Sequence, residues 1–454
     1  TEALPIPIIS KPGVKRDGTL FDGEDYHADA EWCRWHRKRA QKIGGFRQIY
    51  DGLTEIARGI TSYPHAMHLH VNFGSSTLLT QVTFDINTYV VAGVADRTPS
   101  GFAGSANNLW QFGQMYDAAA GFTSGKTLLF AHAAPNALDI AGDTAAPVYQ
   151  GDIHEAAALT PIAGSSVSGG IATLFPYLFR FGTDGYIAHS VANKPLNLTG
   201  NGSNEFRATS HKIVRGLPLR AGAANSPAGL FWSLDSLIRA SFVGGAPIFS
   251  YDSISNENGI LAQNSVIEHK GVYYWIGLGQ FLMFNGVIRE LPNVMNRDFF
   301  FDNINWPHRN KTFGFAVPAF NELWWCFPKT PSIEPNHAVI LNLTEGTWYD
   351  TPLPAAGRAA ADNPTSYRFP LMTGVDLSAD STYTVWQHET GVDEVAGNPL
   401  QTRAVRSFYE TAEFTATAGA PPKNSALSGG ILEPDFVQTG AMNVVIKYRE
   451  NARA

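Results

Sequence analysis

Residues 265–350 repeat one pattern, in which a short aromatic or β-branched run is followed by a tight turn and another such run. The pair Asn285-Gly286 is the clearest of these turns, because both residues of a two-residue hairpin turn must adopt a positive φ. A second unit places the run Glu322–Phe327 before a second apolar run at 338–342. Each unit spans about 40 to 50 residues, a spacing that is typical of β-propeller blades.

The composition also favours strands and turns over helices. Aromatic residues make up 12% of the 454 residues, charged residues only 16%, and there are 43 glycines and 27 prolines. The best candidate for a helix is 29–41, where Trp32 and Trp35 would share a face. We therefore predict an all-β protein, a β-propeller of about six blades, and the pattern is also compatible with five or seven.

The same pattern divides the chain into three parts. We expect residues 1–60 to form an extended N-terminal arm and a lead-in segment, 61–370 the propeller, and 371–454 a small C-terminal β-rich platform with closing strands. The last predicted strand, 442–449, is expected to pair with an N-terminal strand or with a neighbouring subunit, unless the natural chain continues beyond it. Such pairing would remove an open sheet edge.

Charge and cysteine content argue against several classes of protein. The formal net charge is −7 and the pI is near 6.0, which gives no global reason to expect tight binding of nucleic acid. Cys33 and Cys326 are expected to be reduced, because two distant cysteines do not make a disulfide framework. The sequence has neither an apolar run long enough for a membrane span nor the pattern of a signal peptide at its start. We expect a soluble protein that assembles in a cytoplasm.

One segment concentrates positive charge. It contains six basic residues with no acidic residue between them: Arg34, Arg37, Lys38, Arg39, Lys42 and Arg47. Such a run is commonly a solvated face or a contact between subunits. The alternative is a contact with DNA or with an acidic neighbouring ring.

Three other patterns suggest chemistry, and each has a simpler interpretation. Residues 121–127 resemble a phosphate-binding loop but are one residue too short between their glycines. The serines within 164–170 lack the spacing of a nucleophile elbow. His65, His68 and His70 are close in sequence, yet no carboxylate or cysteine nearby completes a zinc shell. We interpret them as ordinary strand and turn histidines, and we predict no catalytic, cofactor or metal site.

A family resemblance lies in distributed aromatic and turn segments, namely SVIEHKGVYYWIG, FLMFNG, FFFDNIN, ELWWCFP and TWYD, with LFWS upstream and EPDF downstream. Over most of residues 30–445 the chain resembles the β-propeller tail proteins of short-tailed bacteriophages, called hub, nozzle, packaged-DNA stabilisation or tail tubular protein B proteins. The resemblance implies a non-enzymatic virion component that extends the DNA channel, retains packaged DNA and takes part in genome ejection.

The implied assembly is a homo-hexameric ring in the virion tail, assembled in the cytoplasm of a bacterial host. Its implied partners are the adaptor (head-to-tail connector) ring below the portal, tail fibre or needle proteins, and passing double-stranded DNA without sequence specificity. The Ala- and Gly-rich loops 117–125 and 156–170 would be candidates for a gate, because small flexible residues suit a moving constriction.

The main alternative is a carbohydrate-binding or glycoside-hydrolysing β-propeller, with aromatic residues and turn carboxylates at its funnel. Glycosidases need two carboxylates about 5–10 Å apart, and a sequence does not give that separation. A weaker alternative is a scaffold propeller that recruits peptides. Assembly state separates these classes, because a tail protein joins a ring whereas a sugar enzyme acts as a monomer or a small oligomer.

Overall fold

A computed structural model describes residues 10–18, 25–135, 144–220, 226–354, 360–362, 370–375, 383–397, 399–411 and 443–447. Within these ranges the chain forms 36 strands, one short α-helix and two 3-10 helices. The predicted strand at 137–140, the predicted linker at 419–430 and most of the predicted strand at 442–449 lie outside the described residues.

The N-terminal part contains short strands where the sequence predicted a helix. Strands β1 to β6 are Lys11–Val14, Tyr26–His27, Asp29–Glu31, Cys33–His36, Arg39–Lys42 and Phe46–Leu53. Arg37 and Lys38 have φ values of 52° and 62° and turn the chain between the antiparallel strands β4 and β5. The predicted helix over 29–41 is therefore wrong. Both tryptophan rings are buried, with Trp35 on β4 and Trp32, at a φ of 50°, between β3 and β4.

Six four-stranded antiparallel sheets follow, and we call them blades 1 to 6. Blade 1 is β7 Gly59–His65, β8 His68–Gly74, β9 Leu79–Asp85 and β10 Val91–Asp96; blade 2 is β11 Asn108–Asp117, β12 Lys126–Pro135, β13 Tyr149–Asp152 and β14 Thr160–Pro161; blade 3 is β15 Gly170–Leu174, β16 Tyr177–Phe181, β17 Tyr186–His189 and β18 Asn204–Arg207. Blade 4 is β19 Ile213–Pro218, β20 Ala228–Ser233, β21 Leu237–Phe242 and β22 Phe249–Ser255; blade 5 is β23 Ile267–His269, β24 Val272–Ile276, β25 Phe281–Phe284 and β26 Ile288–Glu290; blade 6 is β27 Phe313–Val317, β28 Glu322–Phe327, β29 His337–Asn342 and β30 Thr347–Pro352.

A seventh blade joins distant parts of the chain and closes the ring. Its strands β31 Ala360–Asp362, β32 Leu371–Val375 and β33 Tyr383–His388 form a meander, and β6 pairs antiparallel with β33. The sheet continues from β6 to β34 Glu394–Ala396 and β35 Gln401–Arg403. The first strand of this blade, β31, contacts the first strand of blade 1, β7.

The fold is thus a seven-bladed β-propeller, one blade more than the predicted number. The seventh blade was not visible as a repeat, because its strands come from two regions that are far apart in sequence. The predicted boundary at 60/61 falls within β7 of blade 1, and the one at 370/371 falls between β31 and β32 of the seventh blade. An N-terminal strand that completes the last blade removes an open edge and holds the ring shut.

Further elements join the N-terminal segment to the propeller. Strand β36, Phe408–Glu410, pairs with β3, and both β1 and β3 contact β30 of blade 6. The α-helix is Arg297–Asn303, and the 3-10 helices are Thr183–Gly185 and Trp306–Lys311. At seven residues the α-helix is the longest in the described ranges, and no helix there is long and apolar enough to cross a membrane.

The aromatic groups lie mostly in the core. Trp324 and Trp325 pack into two different hydrophobic clusters on the two sides of their blade, because successive strand residues point to opposite faces. The group 299–301 differs, since it lies on the α-helix and not on a strand. The Asp17 carboxylate accepts hydrogen bonds from the Asp298 and Phe299 amides, at 2.9 and 2.8 Å, and so satisfies the start of this helix.

Candidate functional site

The first residue of the predicted basic site, Arg34, lies inside the protein. Its guanidinium forms a bidentate pair with Glu322, at 2.8 and 3.0 Å. It forms a second bidentate pair with Glu389, in which Nη1 donates to Oε2 at 2.9 Å and Nη2 donates to Oε1. The Tyr349 hydroxyl also donates to Glu322, at 2.5 Å. Burial alone would lower the pKa of Arg34, but the two carboxylates outweigh it and raise the pKa, so the charge is fixed.

Because its guanidinium is buried, Arg34 is no longer a candidate for contact with DNA or with a neighbouring ring. It instead joins the β4–β5 hairpin to blade 6 through Glu322 and to the end of the seventh blade through Glu389. The sequence could not distinguish Arg34 from its basic neighbours, because its acidic partners are 288 and 355 residues away in the chain and burial cannot be read from the residue type. The adjacent Cys33 is also buried, and burial raises the pKa of its thiol to about 12. Cys33 and Cys326 are both free and buried.

The other five basic residues lie at or near the surface. Arg37, Lys38 and Arg39 form the exposed tip of the β4–β5 hairpin, and the amide of Lys38 donates to Glu345 of blade 6 at 3.3 Å. Lys42 pairs with Asp393 at 2.7 Å and is partly buried. Arg47 is exposed on β6. Their contact with DNA or with a neighbouring ring remains a prediction.

Side chains fill the propeller axis at one level. Gln111, on the first strand of blade 2, donates to the carbonyl oxygens of Gly169 and Val214, at 3.2 and 2.9 Å, and lies 3.4 Å from Gln263. These partners belong to blades 3 and 4 and to the segment that enters blade 5. A side chain that connects blade 2 with three following blades occupies the axis of the propeller at this level.

The other sequence patterns lie on ordinary structural elements. In the loop 121–127 the Lys126 ammonium lies 3.5 Å from Asp152 and 3.7 Å from Glu155, so its charge faces carboxylates where a phosphate-binding loop would present it to phosphate. Within 164–170, Ser165 is buried and its hydroxyl donates to the Ile162 carbonyl at 2.7 Å.

Histidines gather on the side of blade 1 that faces blade 2. In the β7–β8 hairpin Tyr63 pairs with His70 and His65 pairs with His68, so these four side chains share one face of the sheet. The rings of Tyr63 and His70 stack, with centroids 5.1 Å apart. The Tyr63 hydroxyl donates to a backbone carbonyl of blade 2, which shows where this face points.

His154 completes the group from blade 2, where it lies just after β13. Its ring stacks on that of His65 with a centroid separation of 3.7 Å. The available ring nitrogens of His65, His70 and His154 all lie within 4.8 Å of one another. His68 is not part of this group of nitrogens, although its ring centroid, like those of His65 and His154, lies 6.3 Å from that of His70. The sequence pattern thus found two of the three residues and missed His154, which only the packing of two blades brings close.

The surroundings of the group keep its buried member neutral. Burial, together with the charges that His154 and His65 would carry, lowers the pKa of His70 to about 4. Nδ1 of His70 lies 3.2 Å from the Thr83 hydroxyl and accepts from the Gln81 amide nitrogen at 3.4 Å, so in this arrangement Nδ1 uses its lone pair and Nε2 carries the proton. Beside the group is a groove of about 370 Å³ whose lining includes charged residues of blades 1 and 2: Arg97, Asp117, Lys126, Asp152 and Glu155.

A different feature lies on the outside of blade 1. Its outer strand β10 pairs with β9, and no strand of the described residues pairs with its other edge. Val90, Val91 and Val94 are 66%, 37% and 52% exposed. No charged residue occurs between Asp85 and Asp96. Long apolar edges of this kind are uncommon on monomeric proteins, because they pair with other chains.

Comparison with known proteins adds little. No protein-family model matches the chain, and no curated protein matches it. Solved structures that resemble it include a putative 6-phosphogluconolactonase from Bacteroides uniformis, with a TM-score of 0.40 and 13% identity over 70% of this chain and 95% of that one. A luciferin-regenerating enzyme has a TM-score of 0.37 and 7% identity over 80% of this chain and 98% of its own. At these values the likeness carries no inference about activity.

Proposed function

We propose that this chain is a non-enzymatic ring subunit, the nozzle or hub of the tail of a short-tailed phage. The observation that carries the assembly part is the unpaired, uncharged outer edge of blade 1, and the sequence resemblance supplies the family. The ring would extend the DNA channel below the portal and adaptor, retain packaged DNA and take part in genome ejection.

The outer edge of blade 1 differs from those of the other blades in its combination of length and lack of charge. In blades 2, 3, 5 and 7 the outer strands are short or charged: β14 has two residues, one of them proline, β18 is Asn-Glu-Phe-Arg, β26 is Ile-Arg-Glu and β35 is Gln-Thr-Arg. In blade 4 the outer strand β22 is seven residues long, but it is polar and carries Asp252. In blade 6 the outer strand β30 is covered by β1 and β3. Blade 1 lacks these protections except for a register shift near Ala92. An edge left open in this way suits addition of a strand from a neighbour.

A second apolar surface suits the other side of such an interface. Among residues 443–447, Val444, Val445 and Ile446 are 53%, 79% and 67% exposed, and Lys447 pairs with Glu410 at 2.5 Å. A closed ring of identical subunits needs head-to-tail interfaces, in which two different surfaces of the chain meet. In the proposal the 443–447 segment of one subunit lies on β10 of the next.

The filled axis of the propeller fits this assembly. DNA would pass through the centre of the ring, between subunits, because Gln111 and its partners occupy the axis of each propeller. The expected N-terminal arm and C-terminal platform belong to the proposal too, as contacts with the adaptor ring and with fibre or needle proteins. The exposed basic tip at 37–39 would meet DNA or an acidic neighbouring ring. The loops 117–125 and 156–170 stay candidates for a gate.

A pair of variants tests the assembly surface. Val94→Lys places a charge on the open edge of β10 and should prevent incorporation into the portal and adaptor complex, while the monomer keeps its circular dichroism spectrum. Asn204→Lys, on the exposed outer strand of blade 3, is the matched control and should assemble normally. Equal incorporation of both variants would remove β10 from the interface.

The alternative, a carbohydrate-active propeller, rests on the groove between blades 1 and 2, because three carboxylates line it: Asp117, Asp152 and Glu155. Glycoside hydrolysis requires such carboxylates in pairs. Release of sugar from host surface glycans by the purified monomer, together with loss of that activity in Asp152→Asn, would support the enzyme and contradict the ring subunit.

A further inference from the structure

We propose that His65, His70 and His154 form a binding site for a divalent transition metal of the zinc class, which joins blade 1 to blade 2. The proposal is independent of the ring assembly. Three imidazoles converge, from the end of β7, from β8 and from the turn after β13. The proposal rests on this convergence, on the separations of their nitrogens and on the polar groups around them.

The donor set is the type that zinc prefers. Zinc in proteins is bound by imidazole nitrogen at about 2.0–2.1 Å, and three protein ligands with an open fourth position are a common arrangement. In tetrahedral geometry those bonds place ligand nitrogens about 3.4 Å apart. The three nitrogens here lie within 4.8 Å of one another, and the stacked rings of His65 and His154 would have to turn toward a common point to complete the geometry.

The arrangement of buried and exposed residues allows those rotations. His70 is buried and stacked on Tyr63, which fixes one ligand in place. His65 and His154 are exposed, so their rings can turn toward an entering ion. Solvent can then supply the fourth ligand from the same side.

Neighbouring groups orient the fixed ligand. Binding of a metal through Nε2 would move the ring proton of His70 to Nδ1, where the Thr83 hydroxyl, 3.2 Å away, can accept its hydrogen bond and the 3.4 Å contact with the Gln81 amide nitrogen is given up. Metal-binding histidines commonly use the second ring nitrogen in this way. Because the Asp152 side chain accepts a hydrogen bond from the His154 amide at 2.9 Å, the turn that carries the third ligand is also held.

The nearest cation does not point its donors at the histidines. The Arg97 guanidinium donates to the side-chain oxygen of Gln81 at 2.8 Å and to the carbonyl oxygens of Asp152 and Ala157 at 2.7 and 3.1 Å. The carboxylate of Asp152 also lies close enough to act on the charge of Arg97. A divalent ion at this site would therefore be bound by three imidazoles, and the positive charge of Arg97 nearby is partly compensated by its partners.

Cobalt binding gives the most direct test. The full chain, free of any histidine tag, is titrated with Co²⁺ and then with Zn²⁺, and visible absorption reports the coordination of cobalt. We expect one Co²⁺ per chain, a visible spectrum of low-symmetry nitrogen coordination, and displacement by Zn²⁺. We expect His154→Ala to weaken binding by more than about tenfold, since even the loss of an outer partner of a ligand costs about 10–100-fold.

Matched variants separate the site from general surface binding. His211 is an exposed histidine between blades 3 and 4, and His211→Ala should bind Co²⁺ as the wild type does. His65→Gln provides a second exposed ligand variant if His154→Ala does not fold, and it should show the same loss. Zn²⁺ should raise the thermal unfolding midpoint of the wild type but not of either ligand variant. Absence of stoichiometric binding by the wild type, or equal affinity in the wild type and the ligand variants, would overturn the proposal.

Discussion

At the scale of single residues, burial decides what a charged side chain does. Arg34 belongs by sequence to a basic run, yet it is the one member whose guanidinium is enclosed between Glu322 and Glu389. Phe320 lies against it, with the ring centroid 3.7 Å from the guanidinium carbon. Removing one partner of such a buried group leaves the opposite charge without compensation.

We predict that Arg34→Met lowers the free energy of unfolding by about 3–5 kcal/mol, because two buried carboxylates then lose their counter-charge. Chemical denaturation followed by tryptophan fluorescence measures the change. Arg37→Gln, at the exposed tip of the same hairpin, is the matched control and should stay within about 0.5 kcal/mol of the wild type. Equal stability of all three chains would mean that the ion pairs do not hold the hairpin.

A second prediction concerns His132, which is buried in blade 2. Its Nε2 lies 3.0 Å from the Val167 carbonyl and 3.2 Å from that of Ala146, so Nε2–H donates and Nδ1 carries the lone pair. Burial lowers its pKa from 6.5 to about 4. Above pH 6.5 the histidine is neutral in both states and its contribution is complete. As the pH falls from 6.5 toward 4, only the unfolded chain takes up the proton, and stability is lost.

At pH 5 this loss amounts to about 2 kcal/mol, at about 1.4 kcal/mol for each pH unit below the unfolded pKa. His132→Gln keeps a side-chain donor but does not titrate, so its stability should fall less between pH 7 and pH 5. Unfolding midpoints in urea at the two pH values measure the difference. The same pH dependence in both chains would show that His132 is not the titrating group.

At the scale of structural elements, the closure of the seventh blade depends on β6. This strand is the N-terminal contribution to a sheet whose other strands come from the C-terminal part, and Gln48 pairs with Trp386 of β33. The ring therefore opens if β6 leaves the sheet, which exposes the apolar faces of the seventh blade.

We predict that Gln48→Pro lowers stability by about 3 kcal/mol or more, because proline removes a backbone donor and fits poorly inside a sheet. Gln48→Ala is the control, and it should lose only the side-chain contacts with Thr384, at 3.4 Å, and with the Gly397 amide, at 2.5 Å. Limited proteolysis should cut the proline variant first within residues 1–55. A proline variant as resistant as the alanine variant would contradict closure by β6.

Local patterns predicted the blades well and the closure poorly. Strands Glu322–Phe327 and His337–Asn342 were visible as aromatic or β-branched runs, because one strand and its turn are encoded within a few residues. The seventh blade and the β4–β5 hairpin were not, since the first pairs distant segments and the second turns through Arg37-Lys38 without glycine or asparagine. The histidine group was found in part, because contact between blades leaves no spacing in the sequence.

At the scale of the whole molecule, the propeller is a closed module with two exposed apolar stretches. One is the edge of β10 and the other lies within 443–447. In the proposed head-to-tail ring both stretches would be covered, and DNA would pass through the centre of the ring and not through a propeller. The enzyme alternative needs neither surface covered.

Counting the copies of this chain on assembled portal and adaptor rings tests the ring proposal most directly. Native mass spectrometry, or particle imaging, is applied to the purified full chain alone and mixed with those two rings. We expect about six copies to join each complex, and Val94→Lys to abolish the addition. A chain that remains monomeric in the presence of both rings, and that cleaves a glycan, would contradict the proposal and identify the protein as an enzyme.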